Sequence, residues 1–132
     1  MRKLLVLLAL VLVVGLAACG GDGDVTEPEG GEATGDPTAG EQVYLKVASP
    51  ACNTCHSLEA GETLVGPSLN NMGTVAATRV DGMSAEEYLH EAIVDPNAHV
   101  VEGFGANIMP ATYGSQLTEE QLNDLVAFLL TQ

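Results

Sequence analysis

From Cys52 to His56 the sequence reads CNTCH, two thiols and an imidazole inside five residues. A chain built around that cluster must bring three reactive side chains to one place, and its other residues decide what they hold. A zinc site wants four protein ligands. With Cys19 closing an N-terminal apolar run, only His90 and His99 remain, at no recognisable metal spacing. A thioredoxin-like dithiol sits in a βαβ context, and no convincing strand can be read anywhere in this chain.

C-x-x-C-H is the spacing at which a c-type haem is attached. Two thiols one turn apart add across the vinyl groups on one porphyrin edge, and the adjacent imidazole then lies under the iron as proximal ligand. Cys52 and Cys55 are thus the expected covalent attachment, His56 the expected iron ligand, and one haem c the expected cofactor. Composition points the same way. The foldable part, about 37–132, has no Trp, two Phe and three Tyr, which is small for a protein-only core. A large apolar cofactor at its centre answers that shortage.

The N-terminus carries an address. Arg2 and Lys3 precede an apolar run from Leu4 to Ala18, too short to span a bilayer comfortably and shaped like a secretory signal. It ends Leu16-Ala17-Ala18-Cys19, which resembles the lipobox of bacterial lipoproteins. The resemblance implies cleavage after Ala18 and a diacylglycerol on Cys19. The expected location is the periplasmic side of the cytoplasmic membrane, with the outer membrane as the other option. An ordinary signal or uncleaved anchor would also export the domain. Once Cys19 goes to lipid, Cys52 and Cys55 remain as a pair, with no thiol left over for a structural disulfide.

Loss of Arg2 and Lys3 takes the formal charge from −14 to −16, leaving Lys46 and Arg79 as the only Lys or Arg. So acidic a domain repels nucleic acid and gains nothing from anionic headgroups, so its membrane attachment rests on acyl chains. Residues 19–36 are nearly all Gly, Asp, Glu, Thr and Pro after the cysteine. They read as a disordered tether, whose seventeen residues beyond Cys19 reach about 20–25 Å as a random coil.

Three helices are expected. The first covers about 37–49, with Asp36 as cap, Pro37 in the first turn and a Thr38–Glu41 capping box. The second covers about 84–94, opened by a Ser84–Glu87 box and stopped by Asp95-Pro96, with Leu89, Ala92 and Ile93 on one face. The third covers about 118–131, opened by Thr118-x-x-Gln121, with Leu122, Leu125, Val126 and Leu129 at helical spacing. Residues 61–73 and 97–115 read as long loops whose scattered apolar side chains need something inside to pack on.

One imidazole leaves the sixth iron position to be filled, and Met72, Met83, Met109, His90 and His99 are the candidates. Pro110 biases Met109 toward extended backbone, from which a thioether can project inward. Met72 and Met83 read as gap-filling core residues, His90 as a surface residue among glutamates, and His99 as a possible bis-histidine ligand.

In this order of pieces the chain resembles the class I cytochromes c over essentially all of 37–132. "GEQVY" resembles their N-terminal helix, in which Gly40 lets the C-terminal helix cross closely and Tyr44 follows one turn on. "GPSL" resembles the segment whose proline, Pro67, offers its carbonyl to the proximal imidazole. "NIMP" resembles the axial methionine segment and implies Met109. "LTEEQLNDLVAFLL" resembles the last helix, with Phe128 against Gly40. More narrowly, residues 86–129 are similar to the cytochrome c domain of caa3-type oxidase subunit II, although no copper-binding domain precedes them. The resemblance implies an all-α fold of about three main helices wrapped around one haem. It also implies a non-enzymatic carrier of single electrons between membrane complexes, its partners being a quinol-oxidising complex, a terminal oxidase or a reaction centre. A fixed subunit of alternative complex III or an oxidase is the next reading, and a haem peroxidase or gas sensor follows. The lysine ring by which many soluble cytochromes c dock is missing, so the docking surface is expected to be apolar or to meet a basic partner.

Overall fold

The computed structural model describes residues 34–132; the expected signal peptide, Cys19 and all but the last three tether residues lie outside it. Within the described residues every regular element is helical. The order is α1 (Pro37–Gln42), α2 (Met72–Val75), α3 (Ala85–Val94), α4 (Tyr113–Gln116) and α5 (Glu119–Leu130), with 3₁₀ turns at Cys52–Thr54 and Ala76–Thr78. The architecture is all-α.

Asp36 caps α1 by accepting the Thr38 N–H at 2.8 Å. That makes Thr38 a capped residue, so the expected Thr38–Glu41 box gives way to a cap two residues earlier. After Gln42 the helix widens into a π turn, Val43–Val47, and ends there rather than at 49. Ala48 is already in extended backbone, and Pro50 holds Ser49 out of helical backbone as well. Helices α3 and α5 open on the complete capping boxes Ser84–Glu87 and Thr118–Gln121, each satisfying two amide groups the helix leaves unpaired. The chain leaves α3 at Asp95, in non-helical backbone before Pro96. Helices α2 and α4 are single turns that begin at the ends of the two stretches expected to be loops and run past them. With four residues each, they are too short for a 3.6-residue period to show.

The core forms where α5 meets the other helices. Leu122, Leu125, Val126 and Leu129 are all buried, together with Val43 and Tyr44 of the first segment and Leu89 and Ile93 of α3. Each such side chain contributes on the order of 1.5–3 kcal/mol by leaving water. Gly40 fixes the crossing. A Cβ there would run into the Asp124 backbone carbonyl and lie 2.7 Å from the Phe128 Cβ. One turn on, the Tyr44 and Phe128 rings pack with centroids 5.5 Å apart, tilted by 46°. The domain begins slightly before α1, since Gly35 packs on α5 backbone and the Asp36 N–H donates to Asp124 Oδ1 at 2.7 Å.

Candidate metal centre

The CNTCH segment is held as one tight turn. The Cys52 carbonyl accepts from the Cys55 N–H at 3.1 Å and the His56 N–H at 2.9 Å, and the Thr54 hydroxyl donates to the Ala51 carbonyl at 2.6 Å. Both thiols are free and half-buried. Burial pushes the Cys52 thiol up to about 11. A thiol held neutral is a poor redox nucleophile, which argues against dithiol exchange chemistry.

A second segment lies alongside and aims the imidazole. The Gly66 N–H donates to the Cys55 carbonyl and the Leu69 N–H to the Ser57 carbonyl, both at 2.8 Å. Between these rungs His56 Nδ1 lies 2.8 Å from the Pro67 carbonyl. A carbonyl only accepts, so Nδ1 carries the proton and Nε2 keeps its lone pair. Burial lowers the proton affinity of His56, opposed by the bond to Pro67, which keeps the ring in its neutral, metal-binding form. Gly66 is required here, because a Cβ would lie 2.8 Å from His56 Nδ1. On the other side the Tyr44 hydroxyl donates to the His56 carbonyl at 2.7 Å.

Cys52, Cys55 and His56 open on a cavity whose wall is mostly apolar and whose mouth is open to solvent. Pro67 and Met109 also line it, so all the described site residues expected from the sequence face one space. Of the other candidates for the sixth position, Met72 and His99 line the cavity, while Met83 and His90 sit on a separate surface hollow. Met72 is buried in the core, and His99 Nε2 is taken by Glu91 Oε2 at 2.8 Å. Among the described residues no three His, Cys, Asp or Glu side chains are arranged to hold a metal ion. Two thiols, one aimed imidazole and a mostly apolar wall are the donor set and surroundings that a covalently attached tetrapyrrole needs.

Gly66, Tyr113 and Arg79 belong to the site but were not singled out from the sequence. Gly66 sits in the quoted GPSL segment, and its contact with the ring has no local signal. Tyr113, buried in α4, donates to the Pro50 carbonyl at 2.9 Å, tying the segment after Met109 to the approach to Cys52. Burial raises both Tyr44 and Tyr113 above the usual phenol range. Arg79 is the only Lys or Arg on the cavity wall; a single arginine in a loop gives no pattern to read.

Comparison with known proteins places this geometry. The family described as cytochrome C oxidase, cbb3-type, subunit III matches residues 35–129, a different oxidase family from the caa3 type named by the local resemblance. Among solved structures, the c-type cytochrome SorU from Sinorhizobium meliloti is similar over 72% of this chain and 87% of that chain, at 25% identity and a TM-score of 0.45. No curated protein matches the sequence. The family match takes in every helix described above together with Cys52, Cys55 and His56. The chain therefore belongs to the cytochrome c family of cbb3-type oxidase subunit III, as a class I monohaem c-type cytochrome with one covalently bound haem c and a role in electron transfer.

Proposed function

We propose that this protein is a membrane-tethered carrier of single electrons between respiratory or photosynthetic membrane complexes. Cys52 and Cys55 hold the haem covalently, and His56 and Met109 are the axial ligands of its iron. The observation that carries the reading is the 2.8 Å contact between His56 Nδ1 and the Pro67 carbonyl. It commits one ring nitrogen to the protein and leaves the other to a metal, while making the imidazole a better donor. When bound, the haem supplies an iron that changes oxidation state by one electron.

The chain's own residues do the rest. Met109, a soft and weakly donating thioether, favours the ferrous state and raises the potential above that of a bis-histidine site. With both axial positions filled, oxygen and substrates have no place on the metal, which favours carriage over catalysis. Arg79, on the cavity wall, would supply a positive charge beside a bound cofactor. At the cavity mouth Val65, Val100 and Ile108 line the space and are 56%, 41% and 58% exposed, with Leu64 beside them at 46%. That apolar rim, on a domain whose cations beyond residue 3 are Lys46 and Arg79 alone, suits a redox partner with an apolar centre set in a basic surface. Cys19 and the tether keep the domain at the membrane.

Replacing Met109 tests the ligand assignment. Met109→Ala keeps the covalent haem, lowers the potential by more than about 0.1 V, and lets ferrous protein bind carbon monoxide, which the parent does not. An unchanged potential with a surviving methionine–iron charge-transfer band rules Met109 out. Cys19→Ser releases the domain from membranes; a variant that stays bound ends the lipid-anchor reading. The family's description as an oxidase subunit favours one second arrangement, a fixed subunit, which co-purification of an oxidase core from gently solubilised membranes would reveal.

A further inference from the structure

Met109 stands near the end of a long excursion. Between the last turn of α3 and the first of α4 the chain runs through residues 95–112 with no helix or strand. A side chain carried on so long a loop is placed only as well as the loop is closed. One bond closes it: the Asn107 N–H donates to Asn97 Oδ1 at 2.8 Å, across ten residues of sequence.

We propose that Asn97 is a positioning residue for the metal centre, its side-chain amide clasping Asn107 so that Met109 stays where it can ligate the iron. The proposal rests on the reading of Met109 as axial ligand.

The clasp is fixed at its α3 end. Leu89 and Ile93 bury that helix in the core, and it ends at Asp95. There the Asp95 carbonyl accepts from the Ala98 N–H at 3.0 Å, and Asp95 Oδ1 accepts from the Asn97 N–H at 3.3 Å. Asn97 thus leaves a packed helix in a defined turn, which sets where its own Oδ1 stands. At the far end Asn107 has a φ of 61°, a left-handed backbone that asparagine adopts more readily than most residues. The chain turns there: Ile108 is 58% exposed, while Met109, the next residue, lines the cavity.

No other bond acts so close to the methionine on that side. His99, held by Glu91 at 2.8 Å, secures only the near end of the loop. The bond from the Phe104 N–H to the Val101 carbonyl lies within it. Beyond Met109 the chain is tied again, through Tyr113 to the Pro50 carbonyl. Met109 is therefore held from α3 on one side and from the approach to Cys52 on the other.

A carrier of single electrons keeps its ligands in both oxidation states. A thioether favours ferrous iron, so the ferric state is where Met109 is most easily displaced. Displacement opens the clasp, and the bond between Asn97 and Asn107 opposes it. A neutral hydrogen bond of this kind changes such an equilibrium by roughly two- to tenfold.

The test is imidazole binding to the ferric holoprotein, in which an imidazole nitrogen replaces the Met109 sulfur with no change of oxidation state. Asn97 is exposed, so its replacement leaves the core intact. Asn97→Ala removes the acceptor and is expected to tighten imidazole binding roughly two- to tenfold, with the methionine–iron band lost at correspondingly lower imidazole. Asn97→Asp keeps an acceptor oxygen and is expected to match the parent. Ser84→Ala breaks the cap at the opposite end of α3, loosens the fold by a comparable amount, and is expected to leave imidazole binding unchanged. Parent-like binding in Asn97→Ala, or an equal gain in Asn97→Asp or Ser84→Ala, overturns the proposal alone. A methionine–iron band that survives in Met109→Ala overturns the axial reading and the proposal with it.

Discussion

Where α1 crosses α5, helix backbone meets helix backbone across Gly40, with Tyr44 against Phe128. The rings and Gly40 are all buried. Across the molecule, residues 61–71 and 97–112, with almost no regular structure, form part of the cavity wall, and Leu64, Val65, Val100 and Ile108 lie exposed along them. The crossing is finished by protein atoms, whereas the loops are pinned at a few points: Leu69 to Ser57, Asn107 to Asn97 and Tyr113 to Pro50. A domain of this size can carry such loops when a covalently held cofactor supplies the packing that neighbouring side chains do not. The crossing is the scaffold and the loops complete a socket, which the scaffold also walls through Leu89 and Ile93 of α3 and Leu125 and Leu129 of α5.

The sharpest way to break the scaffold is Gly40→Val. The new side chain has no rotamer that avoids the Asp124 carbonyl, because the clash begins at Cβ. A destabilisation of more than about 3 kcal/mol is expected by denaturant melting, lost from helices and socket together. A normal melt would mean that α1 and α5 do not cross as described.

Gly66→Ala addresses the socket alone. Its Cβ would meet the His56 ring rather than any helix, so the imidazole must tilt and its bond to Pro67 must weaken. The expected cost is about 1–3 kcal/mol, with unchanged far-ultraviolet circular dichroism and a shifted reduction potential. A variant with the parent's potential would show that the ring is not held against residue 66.

The two halves were also unequally legible in the sequence. The helices announced themselves through caps and periodicity: Ser84, Thr118 and the Leu122–Leu129 stripe stand where local rules put them. Gly40 and Phe128 were legible only through resemblance, since nothing in local sequence says which helix a glycine will meet. In the socket, C-x-x-C-H is a dense local pattern and was readable outright. Tyr113 acts on Pro50 far away in sequence, Gly66 acts on the His56 ring of an adjoining segment, and a single chain carries no record of such contacts. The Thr38–Glu41 box, which did not form although the Asp36 cap read beside it did, has a different cause. Two overlapping cap signals, Asp36 and Thr38, competed for one helix start, and Pro37 in the first turn decided for the earlier.

The smallest expected effect lies on the scaffold side, at the start of α3. The Ser84 N–H donates to Glu87 Oε2 at 2.8 Å and the Glu87 N–H to the Ser84 hydroxyl at 3.2 Å. The Ser84 backbone bond chiefly, and its hydroxyl next, hold the Glu87 carboxyl below its ordinary 4.5. A carboxyl with a lowered folded-state value favours folding above its unfolded-state value, and that contribution fades as pH falls through the folded one. The melting midpoint of the parent should therefore exceed that of Glu87→Gln at neutral pH, and the gap should close below about pH 4.5. Because the carboxylate is open to solvent, the gap is small and shrinks with added salt. It touches the scaffold without reaching the socket, so the reduction potential should not follow it. A potential that did move with Glu87→Gln would mean that α3, which also carries Glu91, transmits its cap to the cavity, and the division between scaffold and socket would have to be redrawn along that helix.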